Sequence, residues 1–225
     1  MSTEIALIHE QMRTPRAAAI AGIIFSPLMI AAQLLIRTSI STISLAPATN
    51  VLSHSNAISL ALDLVPFAGI AFLWFIAVVR DRLGKLEDRF FATVFLGSGL
   101  LYIAMMFSAA AVAGGLLRVL VSGAENLIQS GSYILVRAEI SQISNVYATR
   151  MAAVFMFSTC TISLRTRIAP RWIAFLGYIV ALVLLLEVRT IDLIPLVFPL
   201  WIFVISVSIL VDNLRGQPQS NPTPD

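Results

Sequence analysis

The chain has 225 residues, of which 58% are hydrophobic and only 12% charged, with a formal net charge of +3. A soluble domain is roughly 45–50% apolar and about 25% charged, so this chain has too few polar groups to cover a water-facing globule. Its mean hydropathy of +0.90 points instead to an integral membrane protein.

Residue counts exclude several kinds of chemistry. One cysteine, Cys160, rules out an intrachain disulfide and any multi-cysteine metal or cluster site within the chain. Its apolar surroundings make it a packing residue. The two histidines, His9 and His54, lie outside every apolar stretch, which leaves a haem without axial ligands in the membrane. The one lysine, Lys85, sits in a charged loop and offers no buried Schiff base for retinal. No cofactor is expected.

A helix that crosses the hydrocarbon core needs about 20 mostly apolar residues. Six stretches qualify, at 17–37, 57–79, 90–118, 143–164, 172–189 and 193–212. The first follows a segment, 1–16, that carries Glu4 and Glu10. It is long enough to cross by itself and reads as an uncleaved anchor rather than a secretory signal. Ala18, Gly22 and Ser26 form a thin face along it that suits close packing, and Gln33 lies near its far end.

The second stretch carries Asp63 about two turns in, with Pro66 three residues later. Proline removes an amide donor and deprives the Leu62 carbonyl of its usual partner, which favours a kink there. A charged loop follows, RDRLGKLEDR at 80–89. The third stretch contains Gly97, Gly99 and Ala109-Ala110-Ala111, and ends at Arg118. It is long enough to be tilted, or to end in an interfacial turn at Gly114-Gly115.

Residues 119–142 form the longest connection. They read either as an interfacial amphipathic helix or as an extension of the fourth span. That span opens with Asn145, Tyr147, Thr149 and Arg150. The fifth begins at Trp172, which suits an aromatic belt, and carries Glu187 near its far end. A short link around Arg189–Asp192 makes the fifth and sixth a tight antiparallel hairpin. Pro195 and Pro199 bend the start of the sixth, and the Pro-rich polar tail at 213–225 reads as disordered.

Basic residues fix the orientation. Arg13, Arg16, Arg80, Arg82, Lys85, Arg89, Arg165, Arg167, Arg171 and Arg215 fall on one side; Arg37, Arg118, Arg137 and Arg189 fall on the other. Ten against four places both termini in the cytoplasm. The basic balance therefore reflects topology, and no nucleic acid is expected as a partner. The expected fold is an all-α integral membrane bundle of about six transmembrane helices, N-in and C-in, over residues 17–212. The expected location is a bacterial plasma membrane.

In this orientation Asp63 and Arg150 lie at similar depth, roughly 10 Å below the outer surface at 1.5 Å per residue. Intramembrane charges cost about 2.5–3.5 kcal/mol each at mid-depth. Arg150 then has three readings: it snorkels to headgroups, it forms a structural pair with Asp63, or it handles a ligand. Gln33, Arg118, Asn145, Tyr147 and Glu187 gather in the same outer half, which predicts an outward-facing polar pocket lined by them together with Asp63 and Arg150.

No HExxH, GxSxG or P-loop motif is present, so the sequence leans away from an enzyme. The leading expectation is a small polytopic protein that binds or passes a small solute or ion. The alternative is a non-catalytic membrane subunit or scaffold, with a structural Asp63–Arg150 pair and with a protein partner or a second copy against its apolar flanks.

Overall fold

The computed structural model describes residues 17–36, 49–83, 89–122, 131–166, 170–186 and 193–215. Among the described residues the structure is all-helical, in six continuous helical segments. The helices are α1 (Ala17–Ile36), α2 (Thr49–Leu83), α3 (Arg89–Val121), α4 (Gly131–Gln142), α5 (Thr149–Thr166), α6 (Arg171–Leu186) and α7 (Val197–Arg215). A π-helical turn, Ile143–Ala148, joins α4 to α5 without a break, and a 3-10 turn, Ile194–Leu196, leads into α7. Pro195 and Pro199 thus lie at the start of their helix, where a missing N–H costs nothing.

Four segments are long and apolar enough to cross a membrane: Ala17–Ile36, Asn56–Arg80, Phe90–Val121 and Ile194–Val211. α6 is apolar but has 16 residues. α5 is less apolar because it is the central helix. Ala152, Ala153, Phe155, Met156, Ser158, Thr159, Cys160, Ile162 and Ser163 are all buried. A helix enclosed by protein needs no lipid-compatible surface. Its hydroxyls donate back to its own carbonyls, Ser158 to Val154 at 3.0 Å, Thr159 to Phe155 at 2.7 Å and Thr161 to Phe157 at 2.9 Å. The outer faces of α2 and α6 instead present large apolar side chains, including Phe67, Trp74, Trp172, Phe175 and Ile179. Such extended apolar surface is what lipid covers.

The centre of the bundle is aromatic. Phe72 stacks on Phe25 at 4.6 Å between centroids and meets Phe155 at 5.1 Å, Phe198 at 5.6 Å and Tyr102 at 5.7 Å. Phe95 stacks on Phe155 at 4.6 Å. α1, α2, α3, α5 and α7 therefore all contribute a ring to one layer. Glycines let the helices close on each other. A Cβ on Gly22 would meet Ser206 Oγ, and one on Gly69 would meet the Phe107 ring. On Gly99 it would lie 2.6 Å from Ile76 Cδ1. The row of Ala18, Gly22 and Ser26 is thus a packing face within the chain.

At the upper end, where α1, α3 and α6 finish and α2, α4 and α7 begin, three segments are much longer than a bilayer requires. At 1.5 Å per residue, α2 and α3 each run about 50 Å, and the continuous helix 131–166 about 54 Å. Their excess lengths pack together. Ile58 of α2 and Tyr133 of α4 are buried against Leu62, Leu116, Leu117 and Leu120. Ala109, Ala113 and Ile140 form a second cluster with Val112, Val136 and Ile143. This contact carries α3 straight through Gly114-Gly115, where the sequence allows a turn; a Cβ on Gly114 would lie 3.4 Å from Leu62 Cδ1. It also settles the form of 131–142, a helix that runs on through the π turn into α5. The links at 37–48, 123–130 and 187–192 lie outside the described residues, and so does the hairpin turn expected around Arg189–Asp192.

Candidate functional site

The polar residues singled out in the sequence, as far as they are described, lie toward the upper end. Gln33 lies on the core-facing stripe of α1, one and two turns beyond Met29 and Phe25, and is buried. Neither its amide nitrogen nor its amide oxygen has a hydrogen-bond partner. A buried polar atom left unpaired costs about 1–3 kcal/mol, so this amide calls for a partner. At 1.5 Å per residue it stands about 12 Å above Phe25 in the aromatic layer.

Arg150 occupies the first turn of α5, directly after the π turn. It is half-buried. Among the described residues it makes no hydrogen bond or ion pair. Along α5 it shares a stripe with Val154, Phe157 and Thr161. The lower end of that stripe faces α6: the Phe157 ring lies 5.7 Å from that of Tyr178, and the hydroxyls of Thr161 and Tyr178 are 2.6 Å apart.

Asp63 does not join Arg150. It is exposed, on the same stripe of α2 as Leu60, Phe67, Ile70 and Trp74, while α2 turns Ala61, Val65, Ala68 and Phe72 inward. Matching depth allowed the pair, but rotation of α2 about its axis points the carboxylate away from the bundle. The helix itself runs unbroken through Pro66.

The remaining residues divide. Asn145 lies within the π turn, half-buried, and its amide nitrogen donates to Ser141 Oγ at 3.0 Å. Tyr147 is half-exposed at 51%, and Arg118 is exposed in the last turn of α3. Glu187 lies outside the described residues. Of the seven, the structure groups Asn145, Tyr147 and Arg150 around one turn. It sets Gln33 inside the core on α1, and it places Asp63 and Arg118 on outer faces.

Sequence reasoning missed the π turn itself. Such turns widen the helix by one residue and occur often at functional sites. Here Thr149 Oγ1 donates to the Ser144 carbonyl at 3.3 Å, and Ser144 Oγ donates to the Ile140 carbonyl at 2.8 Å. The run ISQISNVYAT, rich in β-branched and backbone-bonding side chains, was the available signal. The turn packs against α3 and lies beside the 3-10 turn 194–196, so two irregular helical turns adjoin at the upper end. Three further orphaned polar atoms lie in the core: Tyr102 Oη, Trp201 Nε1 and Ser206 Oγ. Trp201 Nε1 faces the bare backbone of Gly177, 2.8 Å from where a Cβ would stand, beside Cys160 Sγ. Among the described residues no three His, Cys, Asp or Glu side chains gather as metal ligands would.

No family model, no curated protein and no solved structure matches the chain.

Proposed function

We propose that all six helical segments span the membrane, with both termini cytoplasmic, and that the upper end opens outward as a polar pocket for a small solute or ion. The observation that carries this reading is Gln33. Its amide is buried, turned into the bundle and unpartnered on both atoms. A primary amide has two donors and an acceptor. Water or a solute at the upper end supplies their partners. Below it, the layer of Phe25, Phe72, Tyr102, Phe155 and Phe198 closes the path toward the cytoplasm. The shorter α6 spans with local adjustment of the bilayer, and α5 spans inside the protein. The basic residues favour this orientation through Arg80, Arg165 and Arg171 at the lower helix ends. A bacterial plasma membrane is the setting assigned.

Cysteine accessibility tests the pocket. In a Cys160→Ala background, Gln33→Cys and Thr149→Cys are exposed on intact cells to a membrane-impermeant thiol reagent, beside Phe25→Cys and Phe155→Cys. The first two react and the last two do not. Unreactive but folded Gln33→Cys and Thr149→Cys proteins would sink the reading.

A second reading, a membrane scaffold, draws on Asp63. Its carboxylate on the exposed apolar stripe of α2 suits a partner helix that carries a base. That reading requires Asp63→Asn to release a partner that purifies with the wild-type protein.

A further inference from the structure

The chemical class of the solute follows from what the Gln33 amide lacks. We infer that the upper site takes a small uncharged solute that donates and accepts hydrogen bonds side by side, a carboxamide or a urea, with Gln33 as its contact; this rests on the upper-end pocket proposed above. Gln33 is buried, and its Nε2 and Oε1 are both without a partner. The nitrogen can only donate and the oxygen can only accept. A ligand that satisfies both brings one acceptor and one donor at adjacent positions, as another amide does. A carboxylate serves Nε2 and leaves Oε1 facing a second oxygen. An amidinium serves Oε1 and leaves Nε2 facing a second donor. Each charged class leaves one buried atom unpaired.

The surroundings select in the same direction. Among the described residues no charged side chain is buried; the buried polar groups are hydroxyls, an indole and the Gln33 amide. Asp63 and Arg118 are exposed on outer faces, and Arg150 belongs to the stripe of α5 that leads to α6, away from the core face to which Gln33 belongs. A charge set beside Gln33 would leave water without meeting an opposite charge among the described core residues. Along α1, Gln33 lies on one line with Ser26 and Gly22, and the Ser26 hydroxyl is already engaged with the Gly22 carbonyl at 2.8 Å. The other orphaned atoms, Tyr102 Oη, Trp201 Nε1 and Ser206 Oγ, lie at or below the aromatic layer. Above it, the Gln33 amide is the unpaired group among the described buried side chains. At its height, counted upward from the Phe25–Phe72 stack, α2 turns Ala61 and Val65 inward and the π turn buries Ala148. Such short apolar walls suit a solute the size of urea or acetamide.

Three molecules of one shape test the assignment. Acetamide, acetate and acetamidinium differ only in the groups on a planar carbon: one donor and one acceptor, two acceptors, or two donors. In the Cys160→Ala background, Ile36→Cys places a thiol one turn above Gln33, on the core side of α1 and tilted back toward it. Its labelling on intact cells by a membrane-impermeant thiol reagent is timed with each molecule in the medium at matched ionic strength. Each rate is normalised to that of free 2-mercaptoethanol. Acetamide at twice its half-saturating concentration is expected to slow labelling about threefold. Acetate and acetamidinium are expected to act at least about fivefold more weakly, because each leaves one amide atom unpaired. Gln33→Leu removes the protection, and Gln33→Glu transfers it to acetamidinium. Stronger protection by acetate or acetamidinium than by acetamide, with Gln33 in place, would overturn the uncharged class. Acetamide protection that survives Gln33→Leu would overturn the role of Gln33. Labelling that none of the three slows would mean that water alone meets the amide, and would overturn the inference while leaving the pocket standing. A folded protein whose Ile36→Cys thiol does not react would remove the pocket itself.

Discussion

Phe72 and Phe155 lie with their ring centroids 5.1 Å apart, and Phe72 also contacts rings from α1, α3 and α7. One side chain thus ties together five helices at the middle of the bundle. Phe72→Ala leaves a cavity bordered by four partners. It is expected to lower stability by about 3–5 kcal/mol, and Phe72→Leu by less. Unfolding of the purified protein in mixed micelles by a denaturing detergent reads the difference. Equal stability of Phe72→Ala and wild type would show that the ring layer does not hold the helices together.

Glycines offer a contrast within one chain. A Cβ on Gly177 would collide with Cys160 Sγ and the Trp201 indole, whereas one on Gly97 meets nothing within 4 Å. Gly177→Ala should cost about 1–3 kcal/mol through overpacking, and Gly97→Ala should be neutral or slightly stabilising through helix propensity. Adding Cys160→Ala to Gly177→Ala should recover part of the loss, because it removes one of the two colliding atoms. Thermal denaturation of the four proteins checks the pattern.

The Thr161–Tyr178 hydroxyl contact at 2.6 Å links α5 to α6. Hydrogen bonds between membrane helices average about 0.6 kcal/mol. A double-mutant cycle of Tyr178→Phe and Thr161→Val should return a coupling of that size. A coupling indistinguishable from zero would mean the two hydroxyls act independently.

Asp63 and Arg150 form no ion pair, so the charge-swapped double variant Asp63→Arg with Arg150→Asp should recover nothing lost by its single members. Asp63→Asn alone should change folding stability by no more than about 0.5 kcal/mol, as for an exposed side chain that has no partner among the described residues. Full rescue of expression by the swap would reinstate the pair.

Legibility in the sequence followed the physics of each feature. Four membrane-length helices could be read because the bilayer demands about 20 apolar residues in a row. The polar opening of the fourth stretch at Asn145, Tyr147, Thr149 and Arg150 could be read, but the central position of α5 could not, because hydroxyls bonded to their own helix look the same at the surface and in the core. The run of small residues on α1 correctly marked a packing face. At Gly114-Gly115 the sequence left a continuous tilted helix and a turn both open, since a glycine pair permits a turn without requiring one; the upper apolar clusters keep α3 helical there.

What the sequence by itself determined was the class of structure, the approximate helix positions and the crowding of polar groups toward one end. Only the tertiary structure decided which of those groups face inward: Gln33 does, Asp63 does not, and Arg150 lies between. It also decided that the chain widens into a π turn just before Arg150. The reason is common to membrane helices. Lipid and protein interior are equally apolar, so a helix such as α2 carries no polar face to mark its rotation. Its orientation is set by contacts such as Phe72 on Phe25 and Ile58 beside Tyr133, which exist only once all the helices have met.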